Sequence, residues 1–234
     1  MPSSTVLIQV MKFLDLTLPT PAENLACDEV LLDVCEQDGG PGILRFWEAR
    51  QHFIVLGYSN HSAAEAHLDR ARQDNIPILR RCTGGGAVLQ GPGCLNYSLI
   101  LPITAQVSET NASIMQRHAD ELQAQVRGHS DLTLGDLKFS GNAQRRKHRY
   151  LLFHGSFLQQ LDIERIERLL PMPSREPDYR QHRAHREFLR NVTLPYRQAL
   201  RDCWHATDTF QDVPAAQIAA VAAKYRSDEW TFKF

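Results

Sequence analysis

A run of three glycines, Gly84 to Gly86, follows an arginine pair by two residues and lies between two segments predicted to be strands. Glycine loses more conformational freedom on folding than any other residue, so this run indicates positive φ angles or a close approach of backbone to another group. Its bare N–H groups beside Arg80 and Arg81 would suit an anion such as phosphate. The alternative is a tight turn with two surface arginines, because the run matches neither standard phosphate-loop pattern.

The composition excludes several classes of protein. The chain has 234 residues, a formal net charge of −1 and 43% hydrophobic residues, which suffice for one large domain or two small ones. A net charge near zero provides no general attraction to nucleic acid or to an anionic membrane. No apolar run approaches the roughly 20 residues that span a bilayer, and residues 1–8 lack the basic start of a signal peptide.

The cysteines and histidines show no metal-binding or disulfide pattern. The five cysteines form no C-x-x-C pair, and none of the ten histidines belongs to a complete ligand set. An odd number of thiols favours a reducing compartment over a disulfide framework. We therefore expect a cytoplasmic protein with no metal site built from its own side chains.

Local signals predict the first helix most clearly. Thr20 and Glu23 form a capping box around Pro21, and the helix should reach about residue 36. Trp47 is expected in or near the core. The other elements predicted for this half are a strand at 11–16, paired strands at 43–48 and 52–57, a polar surface helix at 62–75, and the strands at 76–79 and 95–101 around the glycine run.

The second half is predicted to alternate between helices and strands. A helix capped by Ser108 or Thr110 should reach about residue 126, and Gly135 and Asp136 should turn a hairpin within 131–139. The other predicted elements are a strand at 150–159 interrupted at 154–155, helices at 163–170, 196–207 and 215–225, and a packed terminal strand at 229–234.

These elements predict an α+β fold with a mixed, mostly antiparallel sheet flanked by helices. We expect a single domain over residues 1–234, since no linker, repeat or low-complexity tract divides the chain. The arginine-rich segment, residues 174–190, is predicted to be a solvated face, with an anionic partner surface as the alternative.

Lys138 is the second candidate site residue. It lies on a predicted strand between Leu137 and Phe139, directly before the small-residue turn at Ser140 and Gly141. A partly buried lysine can neutralise an anionic ligand. The alternative is an ordinary edge-strand lysine that protects the sheet from aggregation.

Three ordered motifs carry a family resemblance. Arg-Arg-x-Thr-Gly-Gly-Gly-Ala-Val begins at Arg80, Lys-x-Ser-Gly-Asn-Ala-Gln-Arg begins at Lys138, and His-Gly-Ser-Phe-Leu begins at His154. Together they resemble the lipoate–protein ligase A family, within the biotin/lipoate ligase and octanoyltransferase superfamily. The resemblance covers roughly residues 10 to 190.

The resemblance implies an activity and its cofactors. The family activates lipoate or octanoate with ATP and Mg²⁺ to an acyl-adenylate, then transfers the acyl group to a lysine of a lipoyl carrier domain or H-protein-like acceptor. Lys138 would be catalytic and would contact both substrates. The ATP contacts implied are Arg81, Gly86, Ala87, Val88, Leu89 and Lys138, and the lipoate contacts are Lys138, Gly85, Val88, Phe139, Gly141 and His154.

One departure from the family pattern lies just after the glycine run. The family loop typically continues His-Asp, whereas this chain has Gln90 and Gly91. An apolar slot for the acyl chain could be lined by Val88, Leu99 and Phe139, and such a slot does not discriminate lipoate from octanoate.

Two other functions stay open at this stage. An octanoyltransferase would need a cysteine nucleophile, but one family position for it is Leu151 here, and no cysteine lies between Cys94 and Cys203. Such a route would require Cys94 or Cys82, which we expect to be buried and unreactive. A non-catalytic lipoate or lipoyl-domain binding module is the third possibility, although it would not need an ATP site.

The resemblance also raises the question of an accessory domain. Full-length family members often carry a C-terminal accessory domain of ~100 residues, the size of a small domain, and we expect none here. Either the catalytic domain works alone, or a separate polypeptide supplies that part, or only one half-reaction is efficient. We therefore expect the chain alone to form acyl-AMP readily and to transfer the acyl group poorly.

Overall fold

The structure, a computed structural model, describes residues 11–234. The segment for which we predicted no signal peptide lies outside the described residues. Among the residues that are described, no helix is both long and apolar enough to cross a membrane.

Strands and helices alternate along the described chain. The strands are β1 Met11–Asp15, β2 Ile43–Trp47, β3 Phe53–Leu56, β4 Ile78–Arg80, β5 Val88–Gln90, β6 Cys94–Pro102, β7 Gln125–Arg127, β8 Asp131–Leu134, β9 Leu137–Arg146, β10 Tyr150–Leu158 and β11 Ala206–Thr209. The α-helices are α1 Pro21–Asp38, α2 Ser62–Glu65, α3 Leu68–Gln73, α4 Val107–Leu122, α5 Ile163–Leu169, α6 His185–Phe188, α7 Tyr196–Cys203, α8 Ala215–Arg226 and α9 Asp228–Thr231, and a 3-10 turn covers Asp178–Arg180.

Two sheets organise the fold. The larger has eight strands in the order β11-β1-β2-β6-β10-β9-β8-β7, and the smaller has three in the order β4-β3-β5. Among the strands named for residues 11–234, the parallel pairs are β1–β11, β1–β2 and β3–β4, and the other pairs are antiparallel. The α+β prediction with a mixed, mostly antiparallel sheet flanked by helices is confirmed.

Three apolar clusters form the core. The first packs α1 and α8 against one face of the large sheet, and the second packs α4 and α7 against the opposite face. The third lies between the small sheet and α5. Trp47 is almost fully buried in the first cluster, as predicted.

Helix α1 begins as its local signals predict. Thr20 caps it, and the reciprocal bonds with Glu23 form the expected capping box. The hairpin between β8 and β9 turns at Gly135, whose φ of 60° is in the left-handed region. These elements were predictable because the groups that form them are close together in sequence.

Several predicted elements were wrong in partner or extent. Strands β2 and β3 do not pair with each other, because β3 joins the small sheet and is fully buried there. The helix predicted at 62–75 is split into α2 and α3 by the extended backbone of Ala66. Helix α4 is capped by Gln106 rather than Ser108 or Thr110, and ends before residue 126, which belongs to β7.

The C-terminal part also differs from prediction. Strand β10 continues without interruption through residues 154–155. Helix α7 ends at Cys203, and the chain then forms β11 beside β1. The terminal strand predicted at 229–234 is instead the short helix α9, because the Ser227 side chain accepts a bond from the Trp230 N–H and starts a helical turn.

The arginine-rich segment is only partly solvated. Arg180 and His185 are buried, and they bond the backbone carbonyls of Arg183 and Pro171 respectively. The prediction of a solvated face therefore fails for these two side chains, because local carbonyl groups satisfy their hydrogen-bonding needs in the interior.

Candidate active site

The glycine run connects the two outer strands of the small sheet. The N–H of Arg81 donates to the Leu56 carbonyl at 2.9 Å, and the N–H of Tyr58 donates to the Thr83 carbonyl at 2.8 Å. A Cβ atom on Gly57 would lie 1.9 Å from the Gly85 carbonyl oxygen. The loop therefore rests directly on the backbone that follows β3, which requires glycine at position 57.

Arg81 folds back over the loop that it precedes. Its Nη2 donates to the Gly86 carbonyl at 2.9 Å, and its Nε donates to the Gly84 carbonyl at 3.1 Å and to Thr83 Oγ1 at 3.0 Å. Burial lowers the pKa of Arg81 to about 10, so the group stays charged near neutral pH.

Both arginines before the loop are buried without a carboxylate. Arg80 donates to the carbonyls of Gly57, Asn60 and Thr231, and its Nη2 is buried with no hydrogen-bond partner. None of the ion pairs found within residues 11–234 involves Arg80 or Arg81. Backbone carbonyls and the Thr83 hydroxyl therefore hold the two guanidinium groups, and no carboxylate of the described chain lies within ion-pair distance of either.

The loop packs on one face of the large sheet. His154 on β10 pairs with Ala143 on β9, and the Cβ position of Gly85 lies 3.7 Å from the Ala143 Cβ. Thr83 Oγ1 lies 2.7 Å from Nε2 of His154. The first and third motifs are thus in direct contact.

Lys138 lies on the same strand of the sheet as Ala143. Its Nζ forms an ion pair with Asp131 Oδ1 at 2.8 Å. Its side chain crosses Gly141, where an added Cβ would lie 3.0 Å from both Cε and Nζ. Gly141 therefore leaves the room that the lysine occupies.

His154 is connected to a buried ion pair. Asp28 Oδ1 accepts from Arg45 Nη1 at 2.6 Å, and its other oxygen, Oδ2, lies 3.9 Å from His154 Nδ1. Burial lowers the pKa of His154. Burial raises the pKa of Asp28, but the charge of Arg45 and the polar contact with the His154 ring outweigh it and hold the pKa below the usual range. The imidazole is therefore neutral beside an ionised carboxylate.

The structure brings most of the predicted contacts to this region but separates one of them. Arg81, the glycines, Gly141, Lys138 and His154 all belong to the loop or to strands β9 and β10 beneath it. Phe139 is fully buried in the second cluster, where its ring stacks with those of Phe157 and Tyr196. Leu99 is buried in the same cluster, whereas Val88 packs against the first. The acyl slot that we predicted from Val88, Leu99 and Phe139 therefore does not form from these three side chains.

The two positions that depart from the family pattern, Gln90 and Gly91, pack against neighbouring residues of the fold. Gln90 is largely buried, with its Oε1 atom lacking a hydrogen-bond partner. A Cβ on Gly91 would lie 2.5 Å from a His52 ring carbon. Leu89 is buried and Ala87 partly buried in the third cluster. The segment after the loop thus anchors it to the small sheet.

Four site residues were not identified from the sequence: Asp28, Arg45, Thr83 and Asp131. Asp28 lies on a helix whose residues are mostly buried in the structure, but its approach to His154 left no signal in the sequence. Thr83 lies inside the first motif, yet its bond to His154 joins positions that are far apart in sequence.

The thiols near the loop are not poised for nucleophilic chemistry. Burial raises the pKa of Cys94 to about 12 and also raises the pKa of Cys82. Both side chains are buried. A reactive cysteine is normally exposed, with a lowered pKa, and neither thiol meets these conditions.

The family model described as "Lipoyl protein ligase A/B catalytic domain" matches residues 20–199. The chain belongs to this family. The match includes the glycine loop, Lys138 and His154, so the resemblance found in the three motifs is confirmed.

Known members of the lipoyl protein ligase A/B family resemble the chain in different ways. A lipoate-protein ligase A homologue from Aeropyrum pernix is 31% identical over 156 residues, covering 64% of this chain and 58% of the relative. The alignment thus spans little more than half of that relative. Octanoyltransferase LipM of Exiguobacterium is 24% identical over 262 residues, covering 92% of this chain and 95% of the relative.

A solved structure shows that the fold is that of a lipoate protein ligase. The structure describes a bi-partite lipoate protein ligase and its E2 lipoyl domain from Thermoplasma acidophilum. It superposes with a TM-score of 0.82 at 23% identity and covers 96% of each chain.

Proposed function

We propose that this chain is an ATP-dependent lipoate–protein ligase. It would activate lipoate, or the related octanoate, to an acyl-adenylate and transfer the acyl group to a lysine of a lipoyl carrier domain or H-protein-like acceptor. The observation that best supports this proposal is the buried guanidinium of Arg81 at the glycine loop, which has hydrogen-bond partners but no carboxylate partner among the described residues. A buried cation is costly unless an anion completes the site, and the phosphates of ATP are such anions.

The first half-reaction joins two anions. The lipoate carboxylate attacks the α-phosphorus of ATP, and pyrophosphate leaves. Lys138 would neutralise both reactants as charge develops, which a positioned ammonium does most effectively in a site that excludes water. Added Cβ atoms on Gly84 and Gly86 would meet nothing within 4 Å, so open space surrounds these two residues on the loop.

Mg²⁺ would be bound mainly through ATP. This ion commonly keeps several waters and is bound by one or two carboxylates together with substrate phosphates. Within the described chain, no three His, Cys, Asp or Glu side chains are grouped so that they could hold a metal.

An octanoyltransferase is the second candidate. The LipM relative supports it, because the similarity extends over nearly the full length of both chains. The buried thiols of Cys82 and Cys94 oppose it, because a thioester route needs an accessible thiolate. All five cysteines are free, which also agrees with the cytoplasmic location that we propose.

A separate accessory polypeptide would complete the enzyme. The Thermoplasma structure is described as a bi-partite lipoate protein ligase. We propose that this chain forms acyl-AMP alone and needs a second protein for rapid acyl transfer. Comparable rates of both half-reactions for the isolated chain would contradict this part of the proposal.

The deciding experiment compares two acyl donors with an apo lipoyl domain as acceptor. One reaction contains lipoate, ATP and Mg²⁺, and the other contains octanoyl–acyl carrier protein without ATP. Lys138→Ala and Cys94→Ser are tested beside the wild type, with Lys147→Ala as a control lysine that pairs with Asp33 away from the loop. The ligase requires ATP-dependent formation of acyl-AMP, followed by slower modification of the acceptor, and both rates should fall steeply only in Lys138→Ala.

Other outcomes identify the alternatives. ATP-independent modification that is lost in Cys94→Ser would make the chain an octanoyltransferase. Binding of lipoate or of the lipoyl domain, with no ATP binding and no modification from either donor, would make it a binding module. Mass spectrometry of the acceptor and ATP titration of the enzyme distinguish these results.

A further inference from the structure

The carboxylate beside Lys138 is held at both of its oxygens. Asp131 Oδ1 is 2.8 Å from Lys138 Nζ, and Asp131 Oδ2 accepts a bond from the Tyr179 hydroxyl at 2.8 Å. The Asp131 side chain is only 10% exposed, whereas that of Lys138 is 26% exposed. The buried carboxylate therefore has a fixed orientation, and the lysine is the member that can reach a ligand.

Tyr179 belongs to the arginine-rich segment, which the proposed function does not otherwise use. Its ring lies 5.2 Å from that of Phe188 and 3.5 Å from the Cβ position of Gly128, which precedes β8. Burial and the adjacent Asp131 carboxylate raise the pKa of Tyr179. The phenol therefore stays protonated and donates its hydrogen bond to Asp131.

The same segment also contacts the backbone of Lys138. The Arg190 N–H donates to the Lys138 carbonyl at 2.9 Å, and Leu189 forms an isolated bridge with Lys138. The segment thus contacts the lysine at its backbone directly and at its ammonium through Asp131. Gly141 leaves the space that the lysine side chain crosses, since an added Cβ would lie 3.0 Å from both Cε and Nζ.

We propose that Tyr179 and Asp131 are positioning residues for the proposed ligase reaction, which direct the Lys138 ammonium toward the glycine loop. Tyr179 acts only through Asp131, and Asp131 acts only through Lys138. When a substrate anion draws the ammonium away, the Tyr179 hydrogen bond leaves Asp131 partnered and in place. This inference rests on the proposed function, because it assigns Lys138 to acyl-AMP formation.

A double-mutant cycle tests this order of action. Single-turnover formation of acyl-AMP from lipoate and ATP is measured in the wild type, Tyr179→Phe, Lys138→Ala and the double variant, with enough enzyme and time to quantify the slow residual reaction of Lys138→Ala. We expect Tyr179→Phe to slow the wild type by roughly 10- to 100-fold, as small displacements of reacting groups do. The same change should alter the rate of Lys138→Ala less than about twofold, because residues that act as a unit are not additive.

Control variants separate positioning from folding. Tyr150→Phe removes a hydroxyl outside this cluster, which donates to the Gly40 carbonyl at 2.7 Å. This variant should leave acyl-AMP formation unchanged. Thermal unfolding of each variant identifies loss of folded protein. If Tyr179→Phe does not fold, Asp131→Asn takes its place in an identical cycle.

Each outcome of the cycle has one meaning. Equal losses in the wild-type and Lys138→Ala backgrounds would show a general structural role and overturn the inference. No loss in Tyr179→Phe would also overturn it, while leaving the ligase proposal intact if Lys138→Ala is inactive. Full activity of Lys138→Ala would instead remove the proposed function itself.

Discussion

The hydroxyl of Thr83 lies 2.7 Å from Nε2 of His154, so the glycine loop is bonded to the sheet that carries Lys138. The same hydroxyl accepts a bond from Arg81 Nε at 3.0 Å. A hydroxyl has one hydrogen to donate, and His154 is its available acceptor. The second His154 nitrogen then carries the proton and lies 3.9 Å from Asp28 Oδ2, which is too far for a hydrogen bond.

Replacing Thr83 tests this link between loop and sheet. Thr83→Val keeps the shape but removes the hydroxyl, and we expect a loss of about 1–3 kcal/mol in unfolding free energy because His154 Nε2 is left unpaired. ATP affinity should fall as Arg81 loses a partner. Thr83→Ser, which keeps the hydroxyl, should retain both properties in urea unfolding and ATP titration. Equal behaviour of the two variants would show that the hydroxyl is unimportant.

The buried ion pair beneath His154 should be far more important for stability than an exposed one. Asp28→Asn leaves Arg45 charged and unpaired in the interior, so we expect a loss of about 3–5 kcal/mol. Asp69→Asn, which breaks a solvent-exposed pair with Arg72, should cost less than about 1 kcal/mol. Chemical denaturation of both variants at neutral pH gives the comparison, and similar losses would contradict it.

His118 should make the protein sensitive to mild acid. Burial lowers its pKa from 6.5 to about 3, and its Nε2 accepts a bond from Trp204 Nε1 at 2.8 Å. Below pH 6.5 the unfolded chain binds a proton on His118 that the folded chain excludes. The contribution of neutral His118 to the free energy of unfolding is therefore complete above that pH and is lost progressively as the pH falls toward 3. The expected slope is about 1.4 kcal/mol per pH unit.

Urea unfolding at several pH values between about 7 and 4 measures this slope. His118→Gln can still accept from Trp204 but does not titrate, so its stability should fall less steeply than that of the wild type. His129→Gln alters an exposed histidine and should follow the wild type. Parallel pH profiles for all three proteins would show that His118 is not the source.

Two adjacent glycines of the loop should respond differently to alanine. Gly85 has a φ of 88°, and its Cβ would stand 2.8 Å from Arg81 Nη2, whereas a Cβ on Gly84 would meet nothing. We expect Gly85→Ala to lose about 1–3 kcal/mol through backbone strain and Gly84→Ala to keep its stability. Thermal unfolding tests this difference, and equal melting temperatures would count against the loop geometry.

The sequence predicted features that depend on neighbouring residues. The capping box at Thr20 needs only Glu23, and the hairpin at Gly135 needs only its two arms. The motifs that contain Lys138 and the glycine loop indicated one family, because the residues of each motif are contiguous in the sequence. Such signals are visible in a single chain because the interacting groups are close together in it.

Features that depend on distant partners were missed. Strand β3 has clear strand character, yet its partners come from β4 and β5 rather than from the neighbouring β2. Arg180 looks like a surface residue in sequence, but carbonyl groups allow its burial. The Asp28–His154 approach joins a helix to a strand late in the chain, and no local pattern reports it.

The parallel pairing of β1 with β11 has a consequence for how the protein is made. One strand lies at residues 11–15 and the other at residues 206–209, so almost the whole described chain separates them. Closing so long a loop costs entropy before the new contacts form. During synthesis the free edge of β1 therefore stays unpaired until the last strand leaves the ribosome, while the glycine loop and the strands that carry Lys138 and His154 can assemble earlier.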